Sequence, residues 1–400
     1  MRRIALTATL IALLFARMVW SGEPQGAKKE PLELTQLALQ FPRHKGSTTL
    51  YVNFDGWSKH DKEGHNIEPF KSTTGNRDRD IQDILFRTAE RYAPFDVEVR
   101  RMKGNGKYDH GKNGNTTVFV GGDTAHIDKE GRKYQYGVTP GQYLDYPSSG
   151  RGDTRRPNSD PFDLAFADPM TQDPRGKGWI NAEDNNGISM TITHEGGHTF
   201  GLAHTHSKPV PDVMSYDAPN SYFANKVLPI TNDNNTGTTL SHDDGMIPKW
   251  KGEPVLRQNS FTYLRAVLGA RKRGEHAKVA ERATVDPGFK DGKLETVEMG
   301  DSVSSKLSRY GDYDVYRLRV EDHESLVLTV TPEEESALIP VILVYDDKGE
   351  RLFTYGHGRK ARDHEARLVV RLESGRTYKL VVGTVDGNSK GAYELTVEEK

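Results

Sequence analysis

The stretch Thr193-His194-Glu195-Gly196-Gly197-His198-Thr199-Phe200-Gly201-Leu202-Ala203-His204 concentrates more chemistry than any other part of this chain. It follows Ile188-Ser189-Met190-Thr191-Ile192, an apolar start, and reads as the second half of a helix. Residues four apart on a helix share one face, so His194 and His198 project together. Two imidazoles placed like this can take two corners of a tetrahedral Zn²⁺. Glu195 points to the side, where a carboxylate can reach a water at such an ion. Gly201 permits the backbone conformation that ends the helix sharply. His204 then returns as a third ligand and leaves the fourth position to water. Gly196 and Gly197 each cost about 1 kcal/mol against alanine inside a helix. Their presence predicts a close approach of another element there, or a helix stabilised by the metal.

His206 lies two residues beyond His204 and competes as a ligand, but the fixed spacing favours His204. Asn232 to Asn235 and Asp243-Asp244 are oxygen-rich and could bind Ca²⁺. They lack the twelve-residue loop pattern, and a solvated loop is the better reading. The chain has no cysteine, which excludes a thiol nucleophile, a thiolate ligand and a cysteine latency switch.

These residues match the extended HExxHxxGxxH pattern, and the chain resembles the metzincin metallopeptidases. That resemblance implies a tight turn with methionine beneath the metal, and Asp212-Val213-Met214-Ser215-Tyr216 looks like this Met-turn. Plain core filling is the other reading of Met214. Tyr216 resembles the tyrosine that astacins and serralysins place near zinc, where it can ligate the resting metal and stabilise the transition state. An ordinary aromatic wall residue is its alternative. Thr205, after the third histidine, matches none of the usual family-marker residues.

The flanking sequence organises the chain. Arg2 and Arg3 precede a mostly apolar run from Ile4 to Ala16, and Val19-Trp20-Ser21 suits signal-peptidase cleavage. Residues 1–21 therefore read as a signal peptide, too short to span a bilayer comfortably, and export to the periplasm, cell surface or medium is expected. Residues 22–46 read as a flexible lead-in or short pro-segment. Leu50 to Phe54, Phe95 to Val99 and Thr116 to Val120 read as strands, and Asp78 to Tyr92 as an amphipathic helix. The expectation is an α+β metzincin-like domain over 47–271. It ends in a helix over Phe261 to Lys272 with Ser260 as N-cap. Gly121 to Gly187 reads mostly as loop.

A charged stretch over 272–297 reads as a linker. Beyond it, short alternating runs at Tyr313–Val320, Ser325–Val330, Val341–Tyr345, Ala366–Leu372, Tyr378–Val382 and Ala392–Val397 predict an all-β sandwich over 298–400. The series Gly300-Asp301, Tyr313-Asp314-Val315-Tyr316, Val344 to Gly349, Leu372 to Tyr378 and Gly391 to Leu395 resembles the bacterial pre-peptidase C-terminal domain. Accessory binding, help in export and later removal are all open as its role.

The formal charge of -2, from 55 basic and 57 acidic residues, gives no support for nucleic acid or an anionic membrane as partner. Function is expected to be zinc-dependent hydrolysis of a protein or peptide substrate, with His194, His198 and His204 on the metal, Glu195 as general base and Tyr216 donating to the oxyanion. Thr116–Val120 is the candidate strand for pairing with an extended substrate. The rival reading is a non-catalytic exported surface protein with structural zinc and the sandwich as a binding module. Oligomeric state is not readable from these residues.

Overall fold

The structure is a computed structural model, and it describes residues 32–34, 48–56, 69–72, 74–109, 114–121, 126–127, 133–134, 137–138, 165–167, 185–206, 210–215, 221–230, 249–250, 253–271, 294–321, 325–348, 351–355 and 365–400. The expected signal peptide, Tyr216 and the oxygen-rich stretches at 232–235 and 243–244 lie outside them. Leu32 to Lys400 form one compact unit. No described helix is long and apolar enough to cross a membrane.

The first layer is a mixed sheet built from β1 (Thr48–Asn53), β2 (Val97–Met102), β3 (Thr116–Val120), β4 (Gly137–Val138) and β5 (Ala165–Ala167). Its order is β2-β1-β3-β5-β4, parallel throughout except for antiparallel β4 at the edge. The described residues of β1 and β3 are almost wholly buried, as expected for central parallel strands. Two helices, α1 (Arg77–Tyr92) and α2 (Asn185–Thr199), pack on this sheet and on each other. Asn76 caps α1 by accepting from the Arg79 amide at 3.2 Å.

Several expectations need correction. β3 is no substrate-pairing strand: β1 lies on one side and β5 on the other, so its backbone groups are already used in the ladder. Among the described strands, β4 forms the outer edge on that side. Helix α2 opens at Asn185 rather than at Ile188, because Asn185 is held at both its Asp80 and Asp83 contacts on α1. Within the expected lead-in, Leu32–Glu33 pairs in parallel with β6 (Glu253–Gln258), and Leu34 is buried in the core. The next helix, α3, runs only from Ser260 to Val267. Its N-cap is Asn259, which accepts from the Thr262 amide at 2.8 Å, and Gly269 at φ 97° follows its end. Ser260 is not free to cap, since its hydroxyl donates to Asp212 at 2.6 Å.

The second half is a β-sandwich. One sheet has the order β7-β9-β14-β11-β12, from β7 (Thr296–Val297), β9 (Asp314–Arg319), β11 (Pro340–Tyr345), β12 (Arg351–Tyr355) and β14 (Thr377–Thr384). The other is β8-β15-β10-β13, from β8 (Ser302–Leu307), β10 (Ser325–Pro332), β13 (Ala366–Arg371) and β15 (Gly391–Glu399). Residues from both sheets, among them Tyr316, Leu328, Ile342, Leu380, Tyr393 and Leu395, fill the space between them. Residues 294–297, at the end of the expected linker, already belong here, with β7 paired in parallel to β9.

The two halves share a third apolar cluster. Phe86 of α1 packs edge-on to Tyr313, with centroids 5.2 Å apart, and lies 5.4 Å from Tyr345. Leu294, Val315, Val341, Leu343 and Val381 complete the cluster. Around it Arg101 donates to Asp386 at 3.0 Å, and Arg309 meets Asp96 at 2.7 Å. Gly311 at φ 70° lets the chain approach so closely that a Cβ would lie 2.3 Å from the Val99 carbonyl oxygen. The halves are therefore packed face to face.

Candidate metal centre

Helix α2 carries the site through its buried C-terminal half. Its threonine and serine hydroxyls are turned back on the helix: Thr191 donates to the Gly187 carbonyl at 3.1 Å, Thr193 to Ser189 at 2.7 Å and Thr199 to Gly196 at 2.7 Å. This satisfies polar groups in a helix that has no solvent-facing side. The two internal glycines have the reason anticipated from sequence. A Cβ at Gly196 would meet the Tyr92 hydroxyl at 2.7 Å and Leu50 at 3.3 Å. A Cβ at Gly197 would meet the Met214 sulfur at 2.5 Å. Met214 is fully buried, with its sulfur against the helix at Gly197.

The structure brings His194, His198 and His204 together. Their Nε2 atoms lie 3.0 Å (194 to 198), 3.0 Å (198 to 204) and 3.1 Å (204 to 194) apart. The far nitrogens of two rings are fixed: Nδ1 of His194 lies 2.7 Å from the Val213 carbonyl oxygen, and Nδ1 of His198 lies 2.7 Å from that of Leu202. A carbonyl accepts, so each Nδ1 carries the proton and each Nε2 presents a lone pair to the centre. Burial, then the facing His204 and His194, hold the His198 imidazole well below its usual range, in the neutral form a metal requires. Three lone pairs this close repel unless a cation sits between them. Were a metal ion bound, the Nε2 atoms of His194, His198 and His204 would hold it. The three residues can hold a metal ion, and among the described residues no fourth His, Asp, Glu or Cys joins the group. His206 stays outside it, half-buried with its Nδ1 unpartnered. Glu195 is buried on α2 at 4% exposure.

Past Gly201, which the sequence marks as the end of the helix, the chain is held mainly by residues that the sequence did not flag. Gly201, at φ 96°, reverses the path. Gln258 at the end of β6 clamps Ala203 from both sides, accepting its amide at 2.8 Å and donating to its carbonyl at 2.9 Å. Tyr263 of α3 donates to the Phe200 carbonyl at 3.0 Å. Thr205 donates to Asp212 at 2.9 Å, and Asp212 also accepts from Ser260 and from the Met214 and Ala224 amides. Burial pushes the Asp212 carboxyl up against the lowering effect of these four donors. Thr205 thus ties the segment that carries His204 to the turn that carries Met214. In the sequence, Asp212 reads only as the start of the methionine-bearing turn, Thr205 as an unmatched position and Ser260 as a helix cap.

On the other flank, α1 grips α2. Tyr92 donates to the Thr193 carbonyl at 3.0 Å, and its buried phenol is pushed well above the usual range, so it stays a donor. Arg91 donates to Ser189 at 2.9 Å, to Asn186 at 2.8 Å and to the Ser221 carbonyl at 3.3 Å.

No family model matches the sequence, and no curated protein is similar enough to count as a match. Among solved structures, the pre-peptidase C-terminal domain of collagenase from Bacillus anthracis is 18% identical, with a TM-score of 0.23 over 27% of this chain and 98% of that one. CorA, a surface-associated copper-binding protein important in copper acquisition by Methylomicrobium album BG8, is 10% identical, with a TM-score of 0.22 over the same shares. PliG, a periplasmic inhibitor of g-type lysozyme from Aeromonas hydrophila, is 13% identical, with a TM-score of 0.17 over 27% of this chain and 98% of that one. Likenesses this weak say nothing of activity.

Proposed function

We propose that this chain is an exported zinc endopeptidase of metzincin type, with a pre-peptidase C-terminal-like sandwich fused behind it. The observation that carries the reading is the group of three buried imidazoles, two with their outer nitrogens fixed, on a helix that places Glu195 beside the first of them. The chemistry of the donor set fits zinc: three imidazole nitrogens and no thiolate. Met214 beneath the helix and the mixed sheet beside it support the family reading.

When bound, the ion supplies Lewis acidity toward a carbonyl oxygen and makes water a stronger acid. His194, His198 and His204 hold it. Glu195 accepts the proton of the attacking water and passes it to the leaving amine. Tyr216, outside the described residues, is assigned the donor to the oxyanion. An extended substrate would pair with the edge of β4 rather than with β3. Retention of a carboxylate at 195 favours catalysis over structural zinc, since a structural site needs no base and is more often closed by a fourth protein ligand.

The test is hydrolysis of a quenched peptide library by the purified protein, with metal content assayed alongside. Cleavage that a chelator abolishes, that zinc restores, and that Glu195→Ala lacks while keeping its metal supports the reading. One bound zinc per chain with no cleavage by either protein would replace it with the structural-metal alternative.

A further inference from the structure

The sandwich touches α1 through a hydroxyl whose link continues to the metal helix. Tyr345, the last residue of β11, is buried and donates to Asp83 Oδ1 at 2.7 Å. The other oxygen of that carboxylate, Oδ2, accepts from Asn185 Nδ2 at 2.9 Å. Asn185 is the first residue of α2, and its amide also donates to Asp80 Oδ1 at 3.0 Å. One buried carboxylate on α1 is thus shared, one oxygen facing the sandwich and one facing the helix that carries His194, Glu195 and His198.

We propose that Tyr345 is a positioning residue for the metal site, acting through Asp83 and Asn185, and that the sandwich is thereby part of the catalytic unit rather than a detachable module. This rests on the reading of the three histidines as a metal site. The physical argument is that the two oxygens of a carboxylate cannot move independently. Asp83 Oδ1 is also held by Arg87 Nε at 2.9 Å, and the Arg87 guanidinium lies over the Tyr345 ring at 5.2 Å. Without the Tyr345 hydroxyl the carboxylate loses its donor from the sandwich while Arg87 keeps its hold on Oδ1. Its rotation withdraws Oδ2 from Asn185, in a buried setting where water does not replace the lost partner. Helix α2 does not come loose, because Arg91 holds Asn186 and Ser189 and Tyr92 holds the Thr193 carbonyl. The helix tilts about these anchors, and His194 and His198 move with it relative to His204, which sits on separately anchored chain.

The test uses the full chain and compares Tyr345→Phe, Asn185→Ala, the double variant and Tyr313→Phe. Tyr313 lies in the same interface, and its buried hydroxyl has no hydrogen-bond partner, so its loss controls for disturbance of the interface alone. Zinc affinity is read by competition with a chromophoric chelator, the site's geometry by the visible spectrum of the cobalt-loaded protein, and folding by thermal unfolding. The expectation is a zinc affinity weakened about 3- to 10-fold and an altered cobalt spectrum in Tyr345→Phe, with Tyr313→Phe unchanged in both. Asn185→Ala weakens zinc at least as much, and the double variant is no weaker than Asn185→Ala, as required of residues in one chain of contacts.

Wild-type zinc affinity and cobalt spectrum in a folded Tyr345→Phe would overturn the proposal, as would additive losses in the double variant. If Tyr345→Phe does not fold, Asn185→Ala decides from the helix side: wild-type zinc affinity there overturns the link. A wild-type chain that takes up neither zinc nor cobalt removes the metal-site reading and this inference together. Metal uptake without peptide cleavage removes only the peptidase reading.

Discussion

Two of the three histidines are held through their outer ring nitrogens. Nδ1 of His194 and of His198 face backbone carbonyls, so tautomer and ring orientation are set before a metal arrives. On the proposed reading, replacing Glu195 separates chemistry from metal binding. In Glu195→Ala, peptide hydrolysis should fall by about 10²–10⁴-fold while zinc content stays at the wild-type level, as checked by initial rates and metal analysis on the same sample. Gly197 makes the opposite kind of prediction. Alanine there gains about 1 kcal/mol of helix propensity. Its Cβ, however, meets the Met214 sulfur at 2.5 Å, and overpacking costs about 1–3 kcal/mol. Gly197→Ala should therefore melt at lower temperature than wild type and hold zinc less tightly. Gly106, at φ 65° with nothing near its Cβ position, offers a control where strain alone acts.

Helix α2 is anchored at its first residue by carboxylates, and this gives the element a pH signature. Burial pushes the Asp80 carboxyl up, but hydrogen bonds from Asn185, Ser72 and Thr74 outweigh it and bring the value down to about 2. A carboxylate with a depressed folded value contributes stability that is present above the unfolded value, near 3.8, and lost as pH falls through about 2. Thermal midpoints recorded from pH 5 down to pH 2 should fall, and Asp80→Asn should flatten that slope. Elements were legible in the sequence to different degrees for physical reasons. Thr116–Val120 was readable to the residue, because a fully buried strand is apolar or small throughout. Its role as a free edge was misread, since pairing on both sides is set by chain tens of residues away. β8 escaped notice because it is an outer strand of its sheet with mostly exposed side chains and little apolar alternation. The histidines were found because metal ligation requires a local spacing. Asp212, Gln258, Asp83 and Asn185 were not, because their bonds to Thr205, to Ala203, to each other and, for Asp83, to Tyr345 span 7 to 262 residues and leave no period to read.

At the scale of the whole molecule, the apolar cluster shared by α1 and the sandwich joins the two halves within one compact unit. Phe86 sits at its centre, against Tyr313 and Tyr345. Phe86→Ala should cost about 3–5 kcal/mol in denaturant unfolding, and wild type should unfold in a single transition seen by every probe. Two separate transitions would mean that the halves are independent. The central claim is an open, three-histidine zinc site within this unit. X-ray absorption at the zinc edge of the purified protein tests it most directly. The account predicts three imidazole nitrogens and one light-atom ligand that is not imidazole, all at about 2.0–2.1 Å, with the imidazole count falling in His204→Ala. A fourth imidazole in the first shell, or a spectrum that His204→Ala leaves unchanged, would contradict it.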